Sequence, residues 1–133
     1  MTKKLEIYQC PNCGNTIEVV LEGIGELVCC GQKMNLLTPK TIEDKENQEK
    51  HLPYFEKTEN EFLIKIGETE HTMEEEHYIQ FIEAISKDKK YIKRKYLNPK
   101  EEPVLKLKCL DKGDLSAIEY CNVHGLWENK FSS

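Results

Sequence analysis

Cys121-Asn122-Val123-His124-Gly125-Leu126-Trp127, close to the C-terminus, is the stretch on which the reading of this chain turns. A thiol and an imidazole three residues apart at the end of a strand can both reach one metal ion. The chain has four histidines in 133 residues, and the other three also stand in patterns that suit a ligand. His51 lies in Glu49-Lys50-His51-Leu52-Pro53, and His71 and His77 frame His71-Thr72-Met73-Glu74-Glu75-Glu76-His77. On an α-helix a six-residue step turns about 240°, so those two would point apart. A loop running into a strand that begins near Tyr78 brings them together instead. Four imidazoles and one thiolate exceed the four ligands at which a structural zinc site closes. Five protein ligands and one open position describe a redox centre that admits a small anion, and iron suits that set better than zinc.

A second donor cluster stands near the N-terminus, in Cys10-Pro11-Asn12-Cys13-Gly14 and Cys29-Cys30-Gly31. Four thiolates can hold one tetrahedral ion, and zinc and iron both accept that set. The second pair is adjacent, unlike the two C-x-x-C knuckles of a zinc ribbon, so the angle between its sulfurs is expected to be irregular. On chemistry alone zinc and iron stay open here. Each pair ends in glycine, which lets the backbone fold tightly and turn amides toward sulfur. Cys109 is left over and reads as a small buried hydrophobe.

Residues 1–38 are too few to bury a sizeable core, and a module of that size needs a metal or disulfides. Residues 39–133 suffice for an independent β-domain. Lys and Arg number 19 and Asp and Glu 24, a net charge of −5, and neither part is basic, which argues against a nucleic-acid partner. No apolar run is long enough to span a membrane. Lys3 and Lys4 are followed by no apolar signal segment, so the expected location is cytoplasmic. Thiols stay reduced there, and clustered cysteines read as metal ligands. Strands are expected at 16–20 and 26–29, then at 61–66, 78–85, 91–97, 104–110, 115–121 and 126–131, with turns at Gly67, 87–89, 98–99 and 111–114. Residues 43–50 are highly charged and expected to be exposed. The class is all-β: a small four-cysteine β module followed by a β-sandwich.

The motifs carry a family resemblance. Glu49-Lys50-His51-x-Pro53, the His71/His77 pair and Cys121-x-x-His124 resemble the centre of superoxide reductases, and the four cysteines resemble the desulforedoxin module fused before it. Together they resemble the desulfoferrodoxin family over nearly the whole chain. The resemblance implies an immunoglobulin-like fold for the sandwich and two iron ions per chain. One would be held by Cys10, Cys13, Cys29 and Cys30. The other would be held by His51, His71, His77 and His124 in a plane, with Cys121 axial and the opposite face open. It implies reduction of superoxide to hydrogen peroxide, a rubredoxin-like electron donor and a homodimer. It gives Lys50 the part of attracting the anion and Glu49 that of closing the open position in the resting ferric state. Read from the residues alone, Glu49 and Lys50 also fit a solvated charged face. The alternatives are an iron electron carrier without enzyme activity, and a zinc-stabilised binding module.

Overall fold

The structure, a computed structural model, describes residues 1–59, 61–68, 71–108 and 113–132. It divides into two compact units, Met1–Thr38 and Pro39–Ser133.

The first unit is built from strands of two or three residues. β1 (Ile7–Gln9) pairs antiparallel with β2 (Thr16–Glu18) on one side; β3 (Val28–Cys29) and β4 (Gln32–Lys33) form a separate ribbon; and β5 (Asn35–Leu37) completes the first sheet beside β1. Ile7, Cys10, Val19 and Met34 are its buried apolar residues. Such a core is small, and three of the four cysteines lie outside it. The β3–β4 ribbon turns on Cys30 and Gly31, whose φ values are 53° and 71°. Two left-handed residues in a two-residue loop give a turn whose twist matches the flanking strands. Gly31 occupies its position without strain, whereas Cys30 bears a side chain there. The adjacent cysteines thus stand on either side of a strand–turn boundary, which separates their sulfurs despite their adjacency.

The second unit is a sandwich. A helical turn α1 (Gln48–His51) precedes β6 (Pro53–Lys57) and β7 (Glu61–Ile66). β8 (Ile79–Ser86), β9 (Ile92–Tyr96), β10 (Val104–Lys108), β11 (Leu115–Cys121) and β12 (Gly125–Phe131) follow. One sheet has the order β10-β7-β6 and the other β12-β11-β8-β9, all neighbours antiparallel. β7 shows the alternation a two-faced strand needs: Phe62, Ile64 and Ile66 are buried while Glu61 and Lys65 are exposed. These three pack with Ile79, Ile82 and Ala84 of β8, Leu105 of β10, and Ala117 and Cys121 of β11. Cys121 is therefore part of the core as well as of the donor set.

Two features were not legible as elements. β6 begins at Pro53, which cannot donate to a ladder; it is tolerated because it is the first residue of an edge strand. α1 forms within the charged segment, and its last residue, His51, is buried while Glu49 and Lys50 stay exposed. Leu110 and Cys109 lie outside the described residues.

The pairing of β11 with β8 shifts register at the metal-facing end: Tyr120 faces Phe81, but Cys121 faces Ile79. The extra residue is Gln80. The shift places the fully buried Ile79 opposite Cys121 and spares burial of a Gln side chain there.

Candidate metal centres

His51, His71, His77, Cys121 and His124 each offer one donor atom, and these atoms lie within 4.8 Å of one another. Four elements supply them. His51 ends α1; His71 lies in the loop after β7; His77 stands just before β8; Cys121 ends β11; and His124 sits in the turn to β12. The ring centroids describe a near-square. Its sides are His51–His71 at 4.4 Å, His71–His77 at 4.8 Å, His77–His124 at 5.0 Å and His124–His51 at 4.6 Å, and the His51–His77 diagonal is 6.5 Å. The order of the four imidazoles around the square is not legible from their spacing in the chain and is set by the fold.

The donor atoms fit a metal. His51 Nε2 and His124 Nδ1 are 2.9 Å apart. Nitrogens about 2.1 Å from a shared ion and at right angles to each other stand about 3.0 Å apart. His71 turns its Nδ1 to the carbonyl of Thr72, so that nitrogen carries the proton and Nε2 keeps its lone pair. His71 Nε2 and His77 Nε2 are buried with no hydrogen-bond partner among the described residues. Buried nitrogens of this kind are costly unless something accepts their lone pairs. Cys121 Sγ lies 3.9 Å from His124 Nδ1.

Electrostatics favours the neutral, ligating form of His51, His71 and His124. Burial, then the neighbouring imidazoles of His71, His124 and His77, hold the pKa of His51 down at about 3. Burial likewise holds His71 at about 4 and lowers His124. Burial pushes the Cys121 thiol up, so it becomes a thiolate readily only with a cation beside it.

Around these donors lie residues that the motif reading did not single out. Glu119 is wholly buried, and its Oε1 lies 3.7 Å from His51 Nδ1. Burial pushes its carboxyl well above the ordinary range, and among the described residues neither oxygen has a hydrogen-bond partner. With His51 neutral and Glu119 protonated, the approach is not an ion pair in the metal-free protein. A carboxylate behind a ligand imidazole nevertheless orients it once a cation is present. A signal existed: Glu119 is two residues before Cys121 in a strand, so both point to one face. The Trp127 indole, fully buried, lies nearly parallel to the His51 ring at 5.4 Å. Lys40, two residues after the end of the first unit, hydrogen-bonds Leu126 O and Glu128 N through its backbone and sets Nζ 5.5 Å from the Trp127 ring.

Asn122 accepts a hydrogen bond from Tyr78 N–H (2.9 Å) and donates one to Glu76 O (3.0 Å). Glu74 and His77 bond each other through their backbones across Glu75 and Glu76, so the acidic run is a tight turn that presents His77. Glu49 and Lys50 are exposed on α1; the charge of Lys50 bears on His71 and His124, that of Glu49 on Tyr54.

In the first unit the Sγ atoms of Cys10, Cys13, Cys29 and Cys30 also lie within 4.8 Å of one another. Cys13 and Cys29 sulfurs are 3.6 Å apart, and those of Cys29 and Cys30 4.0 Å. A tetrahedral ion with sulfurs at about 2.3 Å spaces them about 3.8 Å apart. The backbone amide of Cys13 holds the Cys10 thiol at about 7, while Cys13 and Cys10 push Cys30 up to about 12. Four thiols this close do not all ionise unless a cation replaces their protons. Asn15 Nδ2 approaches Cys29 Sγ at 3.7 Å.

Residues 43–130 match the family described as Desulfoferrodoxin, and residues 2–37 match Desulfoferrodoxin, N-terminal domain. A desulfoferrodoxin of Syntrophotalea carbinolica is 45% identical over 130 residues, which cover 98% of this chain and 99% of that protein. One of Nitratidesulfovibrio vulgaris is 40% identical over 128 residues, covering 96% and 98%. Among solved structures, the superoxide reductase from Treponema pallidum superposes with a TM-score of 0.70 at 21% identity, covering 97% of this chain and 99% of that one, a likeness of fold. The superoxide reductase from Giardia intestinalis superposes with a TM-score of 0.54 at 32% identity, covering 64% and 99%. Two donor clusters of the composition read from the motifs thus sit in a chain matched along nearly its whole length, and the chain belongs to the desulfoferrodoxin family.

Proposed function

We propose that this protein is a superoxide reductase, adding one electron and two protons to superoxide to give hydrogen peroxide. The observation that carries this reading is the closed set of four imidazoles and one thiol within 4.8 Å. We assign His51, His71, His77, His124 and Cys121 as the residues that would hold one iron. Cys10, Cys13, Cys29 and Cys30 are assigned to a second iron in a desulforedoxin-like module, residues 1–38, ahead of the reductase domain, residues 39–133. Bound by that five-donor set, iron would supply one-electron transfer to a small anion.

The chain's own residues do the rest. The buried imidazoles present lone pairs rather than charges. Lys50, exposed near His71 and His124, gives a chain of net charge −5 a local attraction for an anion. Its ammonium is also assigned to order water for protonation. Glu49, on the same helical turn, is assigned to close the open position in the oxidised state. The four-cysteine ion holds a module whose core is too small to fold alone.

A reductase, unlike a dismutase, needs electrons from outside, and a rubredoxin-like protein is the proposed donor. A cytoplasmic homodimer completes the reading. Among the described residues, no helix is long and apolar enough to cross a membrane. Metal analysis with a visible spectrum tests the assignment: two irons per chain and ferric–thiolate absorption support it, and a colourless zinc protein would refute it.

A further inference from the structure

The charge of this chain is unevenly placed. Residues 87–108 carry nine Lys and Arg against three Asp and Glu, whereas the remainder carries ten against twenty-one. The structure lays the middle of that segment out as β9, the edge strand of the four-stranded sheet, with every residue of Ile92–Tyr96 exposed. From one face of β9, Lys93 Nζ donates to Lys106 O at 2.7 Å and Lys95 Nζ to Val104 O at 3.1 Å. Both acceptors lie on β10, the edge of the other sheet, so the two amines span the margin of the sandwich. Among the described residues neither has a carboxylate within ion-pair distance. Their charge is thus held in place and left uncompensated.

The other face of β9 belongs to the outer side of the sheet, where Tyr96 pairs with Phe81 while Lys95 and Lys93 pair with the core residues Ile82 and Ala84. Tyr96, 70% exposed, meets the Phe81 ring at 6.3 Å, and Phe81 stacks on Tyr120 at 6.2 Å. Arg94 lies over Phe81 and Tyr96 and is bound to the buried Glu83, which fixes the row and neutralises that guanidinium. Tyr120 immediately precedes Cys121. A line of packed rings therefore crosses the outer face of the sheet from the basic edge to Tyr120, which is joined to Cys121 through the backbone.

We propose that the β9 edge, centred on Lys93, Lys95 and Tyr96, docks the acidic protein that returns electrons to the histidine–cysteine centre. The proposal rests on the superoxide reductase reading, which demands an outside donor. One electron passes from the docked donor to the centre; the donor leaves oxidised by one electron, and no bond forms or breaks. Electron transfer weakens more steeply across gaps than through packed atoms, so the row from Tyr96 to Tyr120 favours arrival at this edge. Charge complementarity selects the partner. A fixed positive strip steers an acidic protein, and an exposed tyrosine supplies rigid amphipathic contact. A nucleic acid would meet the same strip, and its binding is compared with that of the acidic protein in the test below.

The test uses the full, iron-loaded chain and a rubredoxin of net negative charge as probe. In Lys93→Glu/Lys95→Glu, binding of the probe by calorimetry should weaken at least tenfold. Its electron delivery should slow in parallel and lose most of its dependence on ionic strength. Lys93→Gln/Lys95→Gln keeps amide donors toward β10 and should give a smaller loss in the same direction. Reaction of either pre-reduced variant with superoxide should match the parent. Unchanged probe binding in a folded double-Glu variant overturns the proposal, as does tighter binding of duplex DNA than of rubredoxin at equal salt. A parent protein that binds the probe at β9 yet fails to reduce superoxide overturns the reductase reading instead.

Discussion

Asn122 holds His77 from both sides. Its side chain bonds Tyr78 N–H and Glu76 O, the two neighbours of that histidine, from a position between Cys121 and His124. One residue thereby ties the third imidazole to the thiol and the fourth. Each bond is worth about 0.5–1.5 kcal/mol, and loss of groups that orient ligands typically costs about 10–100-fold in metal affinity. Asn122→Ala should lose iron from the five-ligand centre by about that factor and shift its ferric absorption, with the four-cysteine iron retained. Asn122→Asp keeps the acceptor for Tyr78 and should fall between. An Ala variant with parental affinity and spectrum would leave Asn122 as an ordinary turn residue.

Acid should weaken the metal-free protein earlier than its surface carboxylates require. His51, His71 and His124 have folded pKa values below the ordinary 6.5, the first two at about 3 and about 4. Above 6.5 both folded and unfolded forms are neutral. As pH falls, the unfolded chain takes up protons first, and stability declines until the folded form follows. Glu119 acts in the opposite sense, because its folded pKa is raised and its stabilising effect is complete below the ordinary 4.5. Three groups outweigh one between pH 6.5 and 4.5. Urea midpoints should fall across that window, and fall more steeply in Glu119→Gln. Equal slopes for parent and variant would remove Glu119 from this balance.

The two donor clusters share no residue and should be separable. Cys13→Ser should lose the first iron and expose residues 1–38 to proteolysis, while the five-ligand iron and most superoxide reduction survive. If the second iron stays and the fast reaction disappears, the first centre is more than a structural staple.

Lys50→Ala should slow the encounter with superoxide severalfold and flatten its dependence on ionic strength, as loss of a steering charge requires. Glu49→Ala should shift the visible absorption of the oxidised centre. An unaltered salt slope and an unaltered ferric spectrum would return both residues to a solvated surface.

Much of this was legible because ligands and strands leave local marks. Cys121-x-x-His124 sits at a strand end as its spacing suggests, β7 alternates over 61–66, and β11 spans the expected 115–121. What escaped was set by partners distant in sequence. α1 forms where His51 is drawn into the core from a charged segment. β6 is a strand despite Pro53 because β7 pairs with only one of its edges' donors. Lys40 reads as a boundary residue until its backbone is seen to bracket Trp127. The register shift at Gln80 cannot be read at all without the strand it faces.

The most direct measurement counts products. Iron-loaded protein, reduced in advance, is mixed with a known dose of superoxide, and hydrogen peroxide and oxygen are determined. A reductase gives one hydrogen peroxide for each superoxide consumed, releases no oxygen, and stops after one turnover until a donor is added. That is the expected result. Half as much peroxide with oxygen evolved would mark a dismutase, and no fast consumption of superoxide would leave only an electron carrier; either outcome would contradict the central claim.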